Sequence, residues 1–228
     1  MPRAKKSRDE KREESRRQIL DAAMELFYEK GYDETTTRDI IKKTGILNGS
    51  LYNRFPSKGD ILLAIVSEYL EDTASTFDRM YGKDKPPIMA FSIPGALLLY
   101  VSCHSPKAAG LIYSASCSME AINMYIDFYR GWAQTVFGGD LKFDTASEEN
   151  LVKMSSIIGM VGNMCGRYAA GSSVGFKESF GFVVQAASTL MSLPVFDIPS
   201  LADDVVAALD ALDVTVCGIR LREFPDYR

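Results

Sequence analysis

Gly31, Gly45 and Pro56 break the first sixty residues into pieces, and within each piece apolar residues recur every three or four positions. That spacing predicts short amphipathic helices. From Ser15 to Lys30 it is held by Ile19, Ala23, Leu26 and Phe27, with Gly31 as the C-cap. Thr36-Thr37-Arg38-Asp39 reads as a T-x-x-D capping box that starts a second helix near Thr37. Gly45 offers a positive backbone angle, so this helix ends at Thr44. The pattern resumes through Asn48, Leu51, Tyr52 and Phe55 to Pro56, and Ser57 then caps a long fourth helix reaching about Met80. Two short helices around a glycine turn predict a helix-turn-helix, whose second helix fits a DNA major groove ~12 Å wide.

Beyond Met80 no segment sustains period-two alternation between turn signals, so the expected fold class is all-α. Helices are expected over Ile88–Ser102, Pro106–Ala115, Ser118–Phe137, Ser147–Ala170, Lys177–Leu193 and Ser200–Cys217. The uncharged stretch from Pro86 to Pro106 has the length of a membrane span, but Pro94-Gly95, Ser92, Ser102 and His104 interrupt it, and a buried core helix fits better. No membrane partner is expected.

The net charge of −4 hides a division along the chain. Residues 1–60 carry 14 Lys or Arg against 11 Asp or Glu, and residues 61–228 carry 12 against 19. The positive charge is densest in Arg3, Lys5, Lys6, Arg8, Lys11, Arg12, Arg16 and Arg17, a polyanion-binding pattern. The expected organisation is a basic arm over 1–14, a helix-turn-helix domain over 15–60 and a helical ligand-binding and dimerisation domain over 61–228. The basic N-terminus lacks the apolar run of an export signal. Cys103, Cys117, Cys165 and Cys217 form no close pair, which fits reduced thiols in the cytoplasm and no zinc site. The single histidine, His104, leaves no His-rich metal centre, and no catalytic or metal residues and no cofactor are expected.

The string from Arg16 to Val66 resembles the DNA-binding domain of the TetR family of transcriptional repressors. The resemblance is carried by AAMELFYEKGYDETTTRDI, by Thr44-Gly45-Ile46, by Gly49-Ser50-Leu51-Tyr52 and by Phe55-Pro56-Ser57-Lys58. It implies a ligand-responsive repressor, homodimeric on a near-palindromic site in double-stranded DNA and released by a small-molecule effector. It further implies base-edge roles for Arg38 and Asn48, phosphate roles for Thr37, Ser50, Tyr52, Arg54 and Lys58, and close approach to DNA at Gly49. Leu47 stands where the family usually has Ser or Thr, which moves the expected cap to Asn48; an Asn48 that caps does not read a base.

Gly171-Ser172-Ser173-Val174-Gly175 matches the G-x-S-x-G nucleophile elbow, but it follows a helix and has no histidine after it, so it reads as a helix stop. The stripe Gly159, Gly162 and Gly166 marks close helix packing, expected at a dimer interface. Tyr100, His104, Tyr113, Tyr125, Phe128, Tyr129, Trp132, Met164 and Tyr168 are expected to converge on a mainly apolar pocket for a ligand of low charge. A redox- or metal-responsive regulator on the same scaffold is the alternative, because a low-pKa thiol is not recognisable from sequence.

Overall fold

The computed structural model describes residues 7–82, 86–138, 144, 147–192, 197–212, 215–216, 219–220 and 223. The chain divides into two compact units, 1–65 and 66–228.

The first unit holds α1 (Arg8–Lys30), α2 (Thr37–Thr44), α3 (Asn48–Tyr52) and the start of α4 (Lys58–Tyr81). The helix α1 starts seven residues before the expected Ser15. Ser7 caps it: Glu10 N donates to Ser7 Oγ at 3.1 Å and Ser7 N donates to Glu10 Oε2 at 2.7 Å. The charged stretch expected to be an arm is therefore helical from Arg8; Arg3, Lys5 and Lys6 lie outside the described residues. Ile19, Leu20, Ala23 and Phe27 of α1 close a core with Ile40, Leu51 and Phe55.

The second unit continues α4 and adds α5 (Pro87–His104), α6 (Pro106–Ser114), α7 (Met119–Phe137), α8 (Glu148–Ala169), α9 (Phe176–Met191) and α10 (Ile198–Ala211). The apolar helix α5 is the hub of this unit, meeting α6 to α10, and 11 of its 18 residues are buried. Leu97, Ile93 and Met89 are at most 1% exposed, so its hydropathy is met by protein. Gly171, at φ +90°, ends the turn after α8, as expected of a helix stop.

The chain departs from the expected helices near its end. The last helix stops at Ala211, and Thr215–Val216 (β1) pairs antiparallel with Ile219–Arg220 (β2), Thr215 opposite Arg220 and Val216 opposite Ile219. The β-branched run Val214-Thr215-Val216 favours extended backbone there, and this outweighs the helical spacing that had carried the prediction to Cys217. Cys217 itself lies outside the described residues.

Inside α5, Pro94 has no N–H to give the carbonyl four residues back, Ala90 O. Trp132 of α7 fills that vacancy, its Nε1–H donating to Ala90 O at 3.0 Å in a buried contact. Next to the proline, a Cβ on Gly95 would lie 2.5 Å from the Tyr129 hydroxyl, so any larger residue there would displace the Tyr129 side chain. Trp132→Phe is expected to lower the unfolding free energy by about 1–3 kcal/mol in urea titrations, because a buried carbonyl loses its donor. In a Pro94→Ala background the residue-94 N–H replaces the indole, and the same substitution should cost less than half as much.

Candidate nucleic-acid interface and apolar cavity

The α2–α3 arrangement is fixed by short-range polar contacts. Thr36 caps α2 with the expected box: Asp39 N donates to Thr36 Oγ1 at 3.2 Å and Thr36 N donates to Asp39 Oδ2 at 3.0 Å. The capping bonds hold the Asp39 carboxyl below its usual range, with Lys30 at 3.4 Å adding to the effect. Gly45 takes the left-handed conformation at φ +69°, and its N–H closes on Ile41 O at 2.8 Å. From α1, Gln18 Nε2 donates to Thr44 O at 3.1 Å, tying the end of α2 to the long helix.

This frame brings the expected contact residues together unevenly. Arg38, Asn48 and Gly49 are all exposed, and nothing stands within 4 Å of a Cβ built on Gly49. Asn48 is the first residue of α3; the N-cap is Leu47, which makes no side-chain cap, so the Asn48 amide is not spent on capping. Thr37 Oγ1 and Tyr52 OH lie 2.9 Å apart, joining the start of α2 to the end of α3 and placing two hydroxyls at one point. Arg54 Nη1 donates to Ser50 O at 3.0 Å, and its buried Nε has no hydrogen-bond partner. Arg54 shares a polar cleft with Arg12 and Arg16 of α1, alongside Asp9 and Glu13. Lys58 stands apart from this group: its ammonium donates to Tyr32 O at 2.6 Å and Asp33 O at 3.3 Å and sits 4.2 Å above the Tyr32 ring. Two of its three N–H groups thus hold the α1–α2 loop.

Leu47 was singled out in the sequence only as a departure from a polar cap, not as a contact residue. It is 78% exposed, the highest value among the large apolar side chains described. The signal was its placement, an apolar residue where a helix cap wants a short polar one.

In the second unit, α5, α7, α8 and α9 enclose an apolar cavity of about 120 Å³, partly open to solvent. Of the nine residues expected in a pocket, only Tyr125 and Tyr129 line it. Tyr100 is turned to α10, where its hydroxyl donates to Asp210 Oδ1 at 2.5 Å, with the His104 ring 4.3 Å away. Trp132 is the strut to Ala90, Tyr168 donates to Ser179 Oγ at 2.6 Å, and Tyr113 is exposed. Phe128 and Met164 are half-buried outside the lining. What the sequence did not separate was helix facing: an aromatic at a buried helical position fills core or lines a void with the same spacing.

The glycine stripe also divides. A Cβ on Gly162 would meet Ser116 Cβ at 2.6 Å, and one on Gly166 would meet the Tyr113 ring at 2.8 Å. Both glycines therefore serve packing against α6 and the turn after it within one chain. Gly159 alone is exposed.

The thiols differ in environment. Cys165 is 0% exposed and pushed up to about 11 by burial, with Ser102 opposing; Cys103 is also raised, chiefly by burial. Both shifts disfavour thiolate, which argues against a sensor at these two positions. Cys117 is exposed, its Sγ 3.1 Å from Tyr113 O. Among the described residues, no three His, Cys, Asp or Glu side chains converge as metal ligands would.

A model of the bacterial regulatory proteins of the tetR family matches residues 19–65, the segment that builds this frame. Residues 19–65 thus carry the DNA-binding segment characteristic of the TetR family. The HTH-type transcriptional repressor KstR2 of Rhodococcus jostii (strain RHA1) is 46% identical over 57 residues, 25% of this chain and 28% of the relative. The fatty acid metabolism regulator protein of Bacillus subtilis (strain 168) is 39% identical over 51 residues, 22% of this chain and 26% of the relative. The matches thus span just over a quarter of these relatives' length. The TetR fold extends further than the sequence likeness. The crystal structure of RolR in complex with resorcinol has a TM-score of 0.58 at 18% identity, covering 88% of this chain and 96% of that one. That of Thermus thermophilus FadR in complex with lauroyl-CoA has 0.59 at 17%, covering 80% and 96%.

For Cys165 and for Tyr168, pushed up to about 12 mainly by burial, folding favours the neutral form. Their stabilising effect is complete below the ordinary thiol value and is lost as pH rises through the folded values. Urea titrations are expected to show stability falling from about pH 9 upward, by at most ~1.4 kcal/mol per pH unit for each group, with Cys165→Ala removing the earlier part. A disulfide reagent should modify Cys117 in the native protein and Cys165 only on unfolding.

Proposed function

We propose that this chain is a cytoplasmic, homodimeric transcriptional repressor of the TetR family that binds a near-palindromic site in double-stranded DNA and is released by a small molecule of low charge. The observation that carries the reading is the exposed row Arg38, Asn48 and Gly49 beside the joined hydroxyls of Thr37 and Tyr52. Bare backbone at Gly49 lets α3 approach the groove. Arg38 then meets guanine O6 and N7, and Asn48 meets adenine N6 and N7. Thr37, Tyr52, Ser50 and Arg54 hold phosphates, which set register without reading sequence. The remaining N–H of Lys58 serves the same purpose from its fixed place on the loop. Leu47, exposed at the start of α3, suits a thymine methyl.

One α3 reads only a few base pairs, so two-fold pairing is needed to give a useful site length, with half-sites about 34–36 Å apart. The dimer surface is assigned to α8 and α9, where Val152 and Phe182 are more than half exposed and Leu190 and Gly159 lie open. The cavity of the second unit supplies the effector site. The helix α4, with residues in both units, is the covalent route between them. An effector shifts the DNA equilibrium only by its differential affinity for the two states, typically ~1–3 kcal/mol of coupling. Neither a membrane nor a cofactor enters this reading.

Binding to the DNA upstream of the chain's own gene, followed by fluorescence anisotropy, tests the assignment. Arg38→Ala should flatten discrimination at one base pair per half-site by about 1–3 kcal/mol. Thr37→Val should weaken all sequences alike and leave their ranking intact. Equal effects of the two substitutions on ranking would contradict these roles. Phe182→Glu should shift the protein to monomer in sedimentation and weaken DNA binding, while leaving its helix content unchanged.

A further inference from the structure

The lining of the cavity contains no charged residue, and its polar side chains are three serines and two tyrosines. Tyr125 and Tyr129 stand one helical turn apart on α7, both facing this space. The Tyr125 side chain is 2% exposed, and its hydroxyl has no hydrogen-bond partner and no contact with solvent. Ser116 lies beside it, its hydroxyl donating to Ile112 O at 2.8 Å and standing outside hydrogen-bond geometry to the phenol. The Tyr129 hydroxyl rests against bare backbone at Gly95. Burial raises both phenols far above their ordinary value, so both remain neutral donors throughout the physiological range. A buried hydroxyl without an acceptor is costly to keep, and a bound oxygen atom removes that cost.

We propose that the cavity binds a neutral molecule whose inserted part is about one carbon ring in size and whose single carbonyl oxygen accepts hydrogen bonds from Tyr125 and Tyr129. This deepens the effector reading above and rests on it. The size follows from the volume, about 120 Å³, since an engineered apolar cavity of ~150 Å³ admits benzene. Neutrality follows from the uncharged lining, because a carboxylate moved into such a space has no cation to pair with and loses its hydration. The carbonyl follows from Tyr125, whose buried hydroxyl offers a proton and has no acceptor, with the Tyr129 hydroxyl one turn away as a second donor.

Three ligands of matched shape test this on the full chain: acetophenone, ethylbenzene and benzoate, with binding followed by calorimetry without DNA. Acetophenone should bind about three- to tenfold more tightly than ethylbenzene, the ratio expected of one or two net hydrogen bonds, and benzoate should bind most weakly. Tyr125→Phe and Tyr129→Phe should each narrow the acetophenone preference, and the double variant should abolish it while ethylbenzene still binds. Unliganded Tyr125→Phe should unfold at the same or a higher temperature, since it removes an unsatisfied hydroxyl. The wild-type ranking decides the matter even where a variant fails to fold. Equal binding of acetophenone and ethylbenzene, tightest binding of benzoate, or no binding by any of the three overturns the proposal. DNA affinity with and without acetophenone is measured separately. Tyrosine-dependent binding that leaves DNA affinity unchanged upholds the cavity chemistry and overturns the effector reading instead.

Discussion

Pro94 removes one N–H from the middle of α5, and the larger unit depends on how the freed carbonyl is met. The helix lies at the centre of this unit, so an unsatisfied Ala90 O would be buried among apolar side chains with no water to accept from. The Trp132 indole is the donor, and its reach sets where α7 lies along α5. With α7 placed there, Tyr129 falls across Gly95 and Tyr125 falls one turn away. A local defect in one helix thus positions the two hydroxyls that face the cavity.

The smaller unit is organised by terminal chemistry more than by core size. Its helices are short, and α3 has only five residues, too few to persist without tertiary support. Support comes from a capping box at Thr36, a left-handed glycine at 45, the Gln18 bond to Thr44 O and the Lys58 bonds to the α1–α2 loop. Each involves residues whose spacing or type is visible in the chain. This is why α2, the turn and the start of α4 were legible in the sequence. The N-terminus of α1 was misplaced because Ser7 and Glu10, an equally good box, sit inside a run of charge that resembles a solvated arm.

In the larger unit the helices were legible and their facing was not. Helical spacing states that a residue belongs to a buried stripe, but it does not say which neighbour the stripe meets. Gly162 and Gly166 were recognisable as sites of close approach, yet the approaching groups, Ser116 and the Tyr113 ring, are more than forty positions away in the chain. Among the aromatic residues, Tyr100, Trp132 and Tyr168 each spend their polar atom on a partner in another segment, and none of those partners carries a local signature. The strand pair after α10 shows a competing local preference, with β-branched residues prevailing over helical spacing.

The two units also differ in what their ligands require of them. Duplex DNA presents the same phosphate spacing to any reader, so the residues that meet it must recur at fixed positions on short, well-capped helices, and a 47-residue segment is enough to mark them. A small molecule imposes no such repeat. The site proposed for it is the space that four helices leave between them, and that space changes with any side chain that shifts their separation. Ser116 lines the cavity from one side because Gly162 admits it to α8, and Tyr129 from another because Gly95 admits it to α5. Cavity shape is therefore set by two glycines that carry no chemistry of their own, which lets the nucleic-acid frame persist while the ligand site changes.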